Sequence, residues 1–224
     1  MSYARIVWAH LRKDLRLEWR SKDAINGMLF FSLLVVVLFS FAFDPTTAVS
    51  RQIAGGILWV ALLFATVTAL NQTWTRELRN SVLDAQRMAP AAPSALFLAK
   101  VLANFLFVAA VEVILAPVFI IFYNLRALGQ GWLLWLVLPL GTLALVINGT
   151  FFGALSLRTR NRELLLPLIL FPISIPAVLA MVEATTAILI GESDPGLWIR
   201  LLAGYDVIFS TISLLLFATV LHAE

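Results

Sequence analysis

Six stretches of this chain are too apolar and too long to sit in a soluble core. They lie at about 24–43, 52–74, 95–123, 131–157, 164–190 and 199–221. A membrane-crossing helix needs about 20 mostly apolar residues, and each stretch supplies that. Few of these stretches hold a charge. Lys100 is read at an interface, Glu112 is accepted inside the third span, and Asp206 stands near the start of the sixth. Apolar residues make up 61% of the chain, against about 45–50% in soluble domains. The expected fold is therefore an all-α integral membrane protein with six transmembrane helices, organised as one permease-like domain over 1–224.

The basic residues orient it. Sixteen lysines and arginines give a net charge of +3. With the N-terminus in the cytosol, Arg51, Arg126 and Arg200 fall outside and all the others inside. The excess of basic residues on one side places both termini in the cytoplasm. It also explains the basic balance without a nucleic acid. Charges at Arg5, Arg12, Lys13, Asp14, Arg16, Glu18 and Arg20 interrupt the first 22 residues. No cleavable signal is expected there. Tyr3, Val7, Leu11, Leu15 and Trp19 recur every four residues, with the arginines mostly off that stripe. This predicts an amphipathic helix over 1–22 lying in the cytosolic interface.

Between the second and third spans lies TRELRNSVLDAQRMAP, Thr75 to Pro90. Residues 77–88 lack proline and glycine, and Pro90 and Pro93 stop the segment. A short helix over about 76–89 is expected, presenting polar groups to the cytosol from between two spans. It suits a lever that docks into a cleft on a soluble partner. The alternative is a connecting loop that happens to be helical.

Other residues frame the chemistry. Cysteine is absent and there are two histidines, His10 and His222. Both are expected on the cytosolic side, so a pair of axial histidines at the outer face is not available. No G-x-x-x-x-G-K-[ST] pattern occurs, so the chain does not cradle ATP phosphates by that route. An intramembrane enzyme is discounted because there is no HExxH and no Ser–His pair at a common depth. Glu112 should lie near the bilayer middle, where an ionisable group is a functional candidate by default. It is read as protonated or as hydrogen-bonded to Asn104 or Asn148 across helices, serving as a transport or proton site or as a buried polar clamp, and Asp206, nearer the outer leaflet, could pair with Arg200. Pro167, Pro172 and Pro176 interrupt the fifth span. Each removes a backbone donor, giving either a hinge lining a path or a static kink. The segment after Glu183 up to Trp198 is read as a possible short hairpin in the outer leaflet. Trp59, Trp74, Trp132, Trp135 and Trp198 fall near expected interfaces and are read as belt residues.

One resemblance draws these features together. Glu77, Ser81, Leu83, Asp84 and Pro90 follow the pattern of the coupling helix of ABC-2-type permeases, with Ser81 and Val82 in place of the usual glycine and hydroxyl pair. GILWVALL at Gly56–Leu63, LAKV at Leu98–Val101 and LPLILFPISIP at Leu166–Pro176 resemble, in order and spacing, the CcmB family. This is the haem exporter protein B family of the cytochrome c maturation system. The resemblance implies a non-catalytic permease subunit in the bacterial inner (cytoplasmic) membrane. Arg76, Glu77, Arg79, Leu83, Asp84, Arg87, Met88 and Pro90 would dock a CcmA-like ATPase. A second copy of the chain and CcmC-like and CcmD-like subunits would complete the complex. ATP would act only through the partner, and haem would be cargo or a transient ligand rather than a stable cofactor. No metal site is expected. Glu112, Pro172 and Pro176 are the intramembrane candidates. An ABC-2 permease for a lipid, polysaccharide or drug shares the docking helix. A secondary transporter using Glu112 would need no ATPase.

Overall fold

The computed structural model describes residues 2–43, 47–79, 92–125, 130–156 and 162–222, the side chains at 48, 79, 162, 163 and 222 excepted. Seven α-helices run through them: α1 Tyr3–Ser21, α2 Asp23–Ala42, α3 Ala48–Arg79, α4 Pro93–Phe122, α5 Leu134–Ser156, α6 Arg162–Ile190 and α7 Gly196–His222. A 3₁₀ turn at Gly131–Leu133 leads into α5. Six of the helices, α2 to α7, are long and apolar enough to cross a membrane. Backbone polarity dictates this choice. Lipid offers no hydrogen bonds, so each crossing segment must satisfy its own amides, which a helix does.

Helix ends follow local chemistry. Lys22 takes a left-handed conformation with φ 57° and ends α1 by donating its amide to the Glu18 carbonyl at 2.7 Å. Glu18 then accepts the Ile25 amide at 2.9 Å in the first turn of α2. One acidic side chain thus satisfies an otherwise unpaired donor of the next helix. Pro93 stands in the first turn of α4, where its missing N–H costs nothing. Gly191, at φ 77°, closes α6, a conformation that only glycine adopts without steric cost.

Helices α3 and α5 form the middle of the bundle. α3 packs on α2, α4, α5 and α6, and α5 packs on α3, α4, α6 and α7. They approach closely because α5 presents glycines to large side chains of α3. A Cβ on Gly141 would strike the Trp59 ring, one on Gly149 would strike Leu70, and one on Gly153 would lie 2.7 Å from Trp74 Nε1. Small residues at contacts are the usual means of packing helices in lipid, where apolar burial drives little. Polar side chains add cross-links. Asn104 of α4 accepts from Thr73 of α3 at 3.0 Å and donates to Thr150 of α5 at 3.4 Å. Asn148 of α5 donates to the Tyr205 hydroxyl of α7 at 2.6 Å, and Tyr205 donates to the Ile173 carbonyl of α6 at 2.9 Å.

Several sequence expectations are corrected here. Trp59 and Trp74 are not belt residues but are 1% and 2% exposed inside the bundle. Trp132 and Trp135 are exposed. The region after Glu183 forms no hairpin, because α6 continues through it to Ile190. Pro172 and Pro176 lie within continuous α6 on an exposed face. Each withdraws one amide from the helix ladder, and the Tyr205 hydroxyl binds the backbone between them. Leu11, Asp14 and Glu18 face the bundle, whereas Tyr3 and Trp19 are exposed.

Candidate functional site: an ion cluster at the base of the 80–91 connection

Charged side chains gather where α3 ends and α4 begins. Leu83, Asp84, Arg87, Met88 and Pro90 lie outside the described residues, as does the Arg79 side chain. Arg76 and Glu77 are described, and they belong to the last turns of the 32-residue α3 rather than to a separate short helix. Their side chains turn to α1 and α4 instead of away from the bundle.

Glu77 is buried, and its Oε1 accepts from Lys100 Nζ of α4 at 2.5 Å and from Lys13 Nζ of α1 at 2.6 Å. Lys100 also pairs with Asp14 of α1 at 2.8 Å, and Lys13 with Asp14 at 3.3 Å. Arg76 forms the second half. It donates to Glu18 at 2.8 Å, to Ser21 at 2.8 Å and to Asp23 of α2 at 3.5 Å. Four acids and three bases therefore join α1, α2, α3 and α4. Lys100 is 1% exposed and its ammonium sits 5.7 Å from the centre of the Trp74 ring. Lys100 therefore faces its neighbouring helices and not solvent.

The physical reason is desolvation. An isolated ion at this depth is expensive, so buried charges pair. Burial alone works against the Lys13 charge, yet Asp14 and Glu77 outweigh it and hold the Lys13 pKa above its ordinary value. His10, one turn before Asp14 on the same helix, moves the other way. Burial lowers its pKa below 6.5, aided by the Lys13 and Lys100 charges and opposed by Asp14 and Glu77. A histidine held neutral by folding contributes its full stability above pH 6.5 and loses it as pH falls through the lower folded value. Amide exchange across α1, corrected for its intrinsic pH dependence, should therefore rise as pH drops below 6.5. His10→Phe should flatten that rise.

The sequence contained one overlooked signal. Val7, Leu11, Asp14 and Glu18 are spaced 4, 3 and 4 residues apart, which puts two acids on an apolar helix face. Acids in that position ask for bases on a neighbouring element, and Lys100 and Arg76 supply them.

Glu112 stands apart, twelve residues beyond Lys100 on α4, about 18 Å at 1.5 Å per residue. It is 8% exposed. Its partner is neither Asn104 nor Asn148, both of which are engaged elsewhere. Thr142 of α5 donates to Glu112 Oε2 at 3.2 Å. Asp206 does not pair with Arg200. It is buried on α7 with neither carboxylate oxygen hydrogen-bonded. Among the described residues no three His, Cys, Asp or Glu side chains gather as a metal site.

A six-span helical bundle whose first helix is ion-paired to both α3 and α4 defines a multi-pass membrane protein. Comparison with known proteins gives the family. The CcmB protein family matches residues 5–223, and the chain belongs to that family. The heme exporter protein B of Rhodobacter capsulatus is 34% identical over 171 residues, 76% of this chain and 78% of that protein. That of Bradyrhizobium diazoefficiens is 31% identical over 84% of both chains. That of Pseudomonas aeruginosa is 30% identical over 84% of this chain and 85% of its own.

Proposed function

We propose that this chain is the membrane subunit of a haem-export complex serving c-type cytochrome biogenesis, and that an ATP-binding partner docks on the 80–91 connection. The observation that carries this reading is the ion cluster. It clamps the helix entering the connection, through Arg76 and Glu77, and the helix leaving it, through Lys100, onto a single interfacial helix. A push on the connection is then delivered to α1, α3 and α4 together rather than absorbed by a loose loop. The docking residues are Arg79, Leu83, Asp84, Arg87, Met88 and Pro90. Arg76 and Glu77 act as its internal anchor.

The relatives bearing the name heme exporter protein B support haem as the cargo of the complex. A second copy of the chain and CcmC-like and CcmD-like subunits complete the assembly. The ATPase activity resides in the partner, and this chain is non-catalytic. The distribution of basic residues supports the cytoplasmic membrane, with both termini in the cytoplasm.

The test is co-purification from the native membrane. The ATP-binding subunit should accompany the wild-type chain together with haem-handling proteins. In the Asp84→Ala/Arg87→Ala variant the ATP-binding subunit should fall away, at least tenfold in yield, while the chain still inserts. Unchanged recovery of the partner would move the docking surface elsewhere. A wild-type chain that brings down no ATPase would remove the proposal entirely.

A further inference from the structure

At the end of the bundle away from the ion cluster, a cavity of about 150 Å³ opens between α3, α4, α5 and α6. Leu58, Phe119, Ile120, Leu134, Leu138 and Leu189 make most of its wall. Two polar side chains reach it, Thr185 and Glu112. Thr185 is committed, since its hydroxyl donates to the Met181 carbonyl at 2.7 Å and accepts from Trp59 Nε1 at 2.9 Å. Glu112 is committed on one side only. Oε2 takes the Thr142 hydroxyl at 3.2 Å, and Oε1 is buried with no hydrogen-bond partner. A buried polar atom without a partner is costly. Here it borders an apolar space large enough for a ring the size of benzene.

We propose that this cavity is a binding site for a membrane-dissolved small molecule, or the tip of a larger amphiphile, with a hydrocarbon body about the size of a benzene ring and one hydrogen-bond-donating head. The body fills the leucine- and phenylalanine-lined space, and the head donates to Glu112 Oε1. The chemistry selects the head. An ionised carboxylate has acceptor oxygens only, so flanked by apolar side chains it rewards a hydroxyl or an amine and rejects an ether or a carboxylate of the same shape. The site is separate from the ion cluster, and it stands whether or not the cargo is haem.

The probes are 4-ethylphenol and its methyl ether, 4-ethylanisole, which differ by a single donor. Each is titrated into the full chain in phosphatidylcholine nanodiscs, with empty nanodiscs as the partition blank and ligand-observed NMR saturation transfer as the readout. Wild type should bind the phenol about tenfold more tightly than the ether, the scale of one hydrogen bond to a charged or strongly polar acceptor. Leu138→Trp, which fills the space, should abolish binding of both. Glu112→Leu should erase the preference for the phenol, whereas Glu112→Gln, which keeps an acceptor oxygen, should retain part of it. Thermal unfolding of each variant shows whether it is folded. Equal binding of phenol and ether to wild type overturns the proposal. So does binding that survives Leu138→Trp in a folded chain, because both results describe partition into lipid and surface rather than a site.

Discussion

Replacing Lys100 with methionine is expected to destabilise the chain by about 3–5 kcal/mol, the usual consequence of removing one partner from a buried ion pair. The cost lies in what remains. Asp14 and Glu77 are both almost fully buried and both bind the Lys100 ammonium. Without it two carboxylates share one partly exposed lysine, Lys13. Methionine nearly matches the length of the lysine stem, so packing beside Trp74 changes little and the loss is electrostatic. The triple variant Lys100→Met/Asp14→Asn/Glu77→Gln should recover most of the loss, because neutral amides need no counter-ion. Thermal unfolding in nanodiscs reads all three chains. A Lys100→Met chain as stable as wild type would mean that water or another subunit reaches the cluster.

The second large effect is expected at the contact between α3 and α5. Gly141→Ala should cost about 2–3 kcal/mol, in the range of overpacked cores. The added methyl meets three atoms of the Trp59 indole. That ring has nowhere to go, because it is 1% exposed and its Nε1 is held by Thr185. Gly149→Ala should cost less. There the nearest atom is Leu70 Cδ1, a terminal methyl that can turn away. Gly204→Ala on α7 is the control. Nothing lies within 4 Å of its added Cβ, and alanine favours a helix over glycine by about 1 kcal/mol. The expected order of melting temperatures is Gly204→Ala, wild type, Gly149→Ala, Gly141→Ala. A Gly141→Ala chain that melts with wild type would show that α3 and α5 slide apart at little cost.

The membrane fold was legible because the bilayer imposes a length and a composition that few other structures share. Six apolar runs stand out on that ground alone, whatever their order in space. Helix-to-helix contacts were not legible, because an apolar helix that is apolar all round carries no stripe to say which face meets which neighbour. Trp59 and Trp74 show the difficulty. Their positions near span ends suggested a headgroup belt, but glycines about eighty residues away make the slots that bury them. Glu112 was identified as an outlier by its charge, and only the structure could name Thr142 as its partner. The ion cluster lay between these cases. Asp14 and Glu18 announced a buried acidic face on α1, and pairing with Lys100 and Arg76 required knowing that α1 folds back against α3 and α4.

The length of α3 carries a consequence for the bilayer itself. Thirty-two residues extend about 48 Å at 1.5 Å per residue, whereas the hydrocarbon layer is about 30 Å thick. Upright, the helix has some 18 Å to spare, more than three turns, and tilting absorbs part of it. Arg76 and Glu77 lie in the final turn. The surplus therefore carries the charges toward the headgroup layer, where an ion costs less than among acyl chains. The cluster then sets a depth mark, since α1, α2, α3 and α4 are pinned at one level by charges that resist being drawn inward. A thicker bilayer would pull acyl chains over that level, and a thinner one would strip them from the opposite end. The stability of this bundle should thus follow lipid chain length, with an optimum where the hydrocarbon edge meets Glu77.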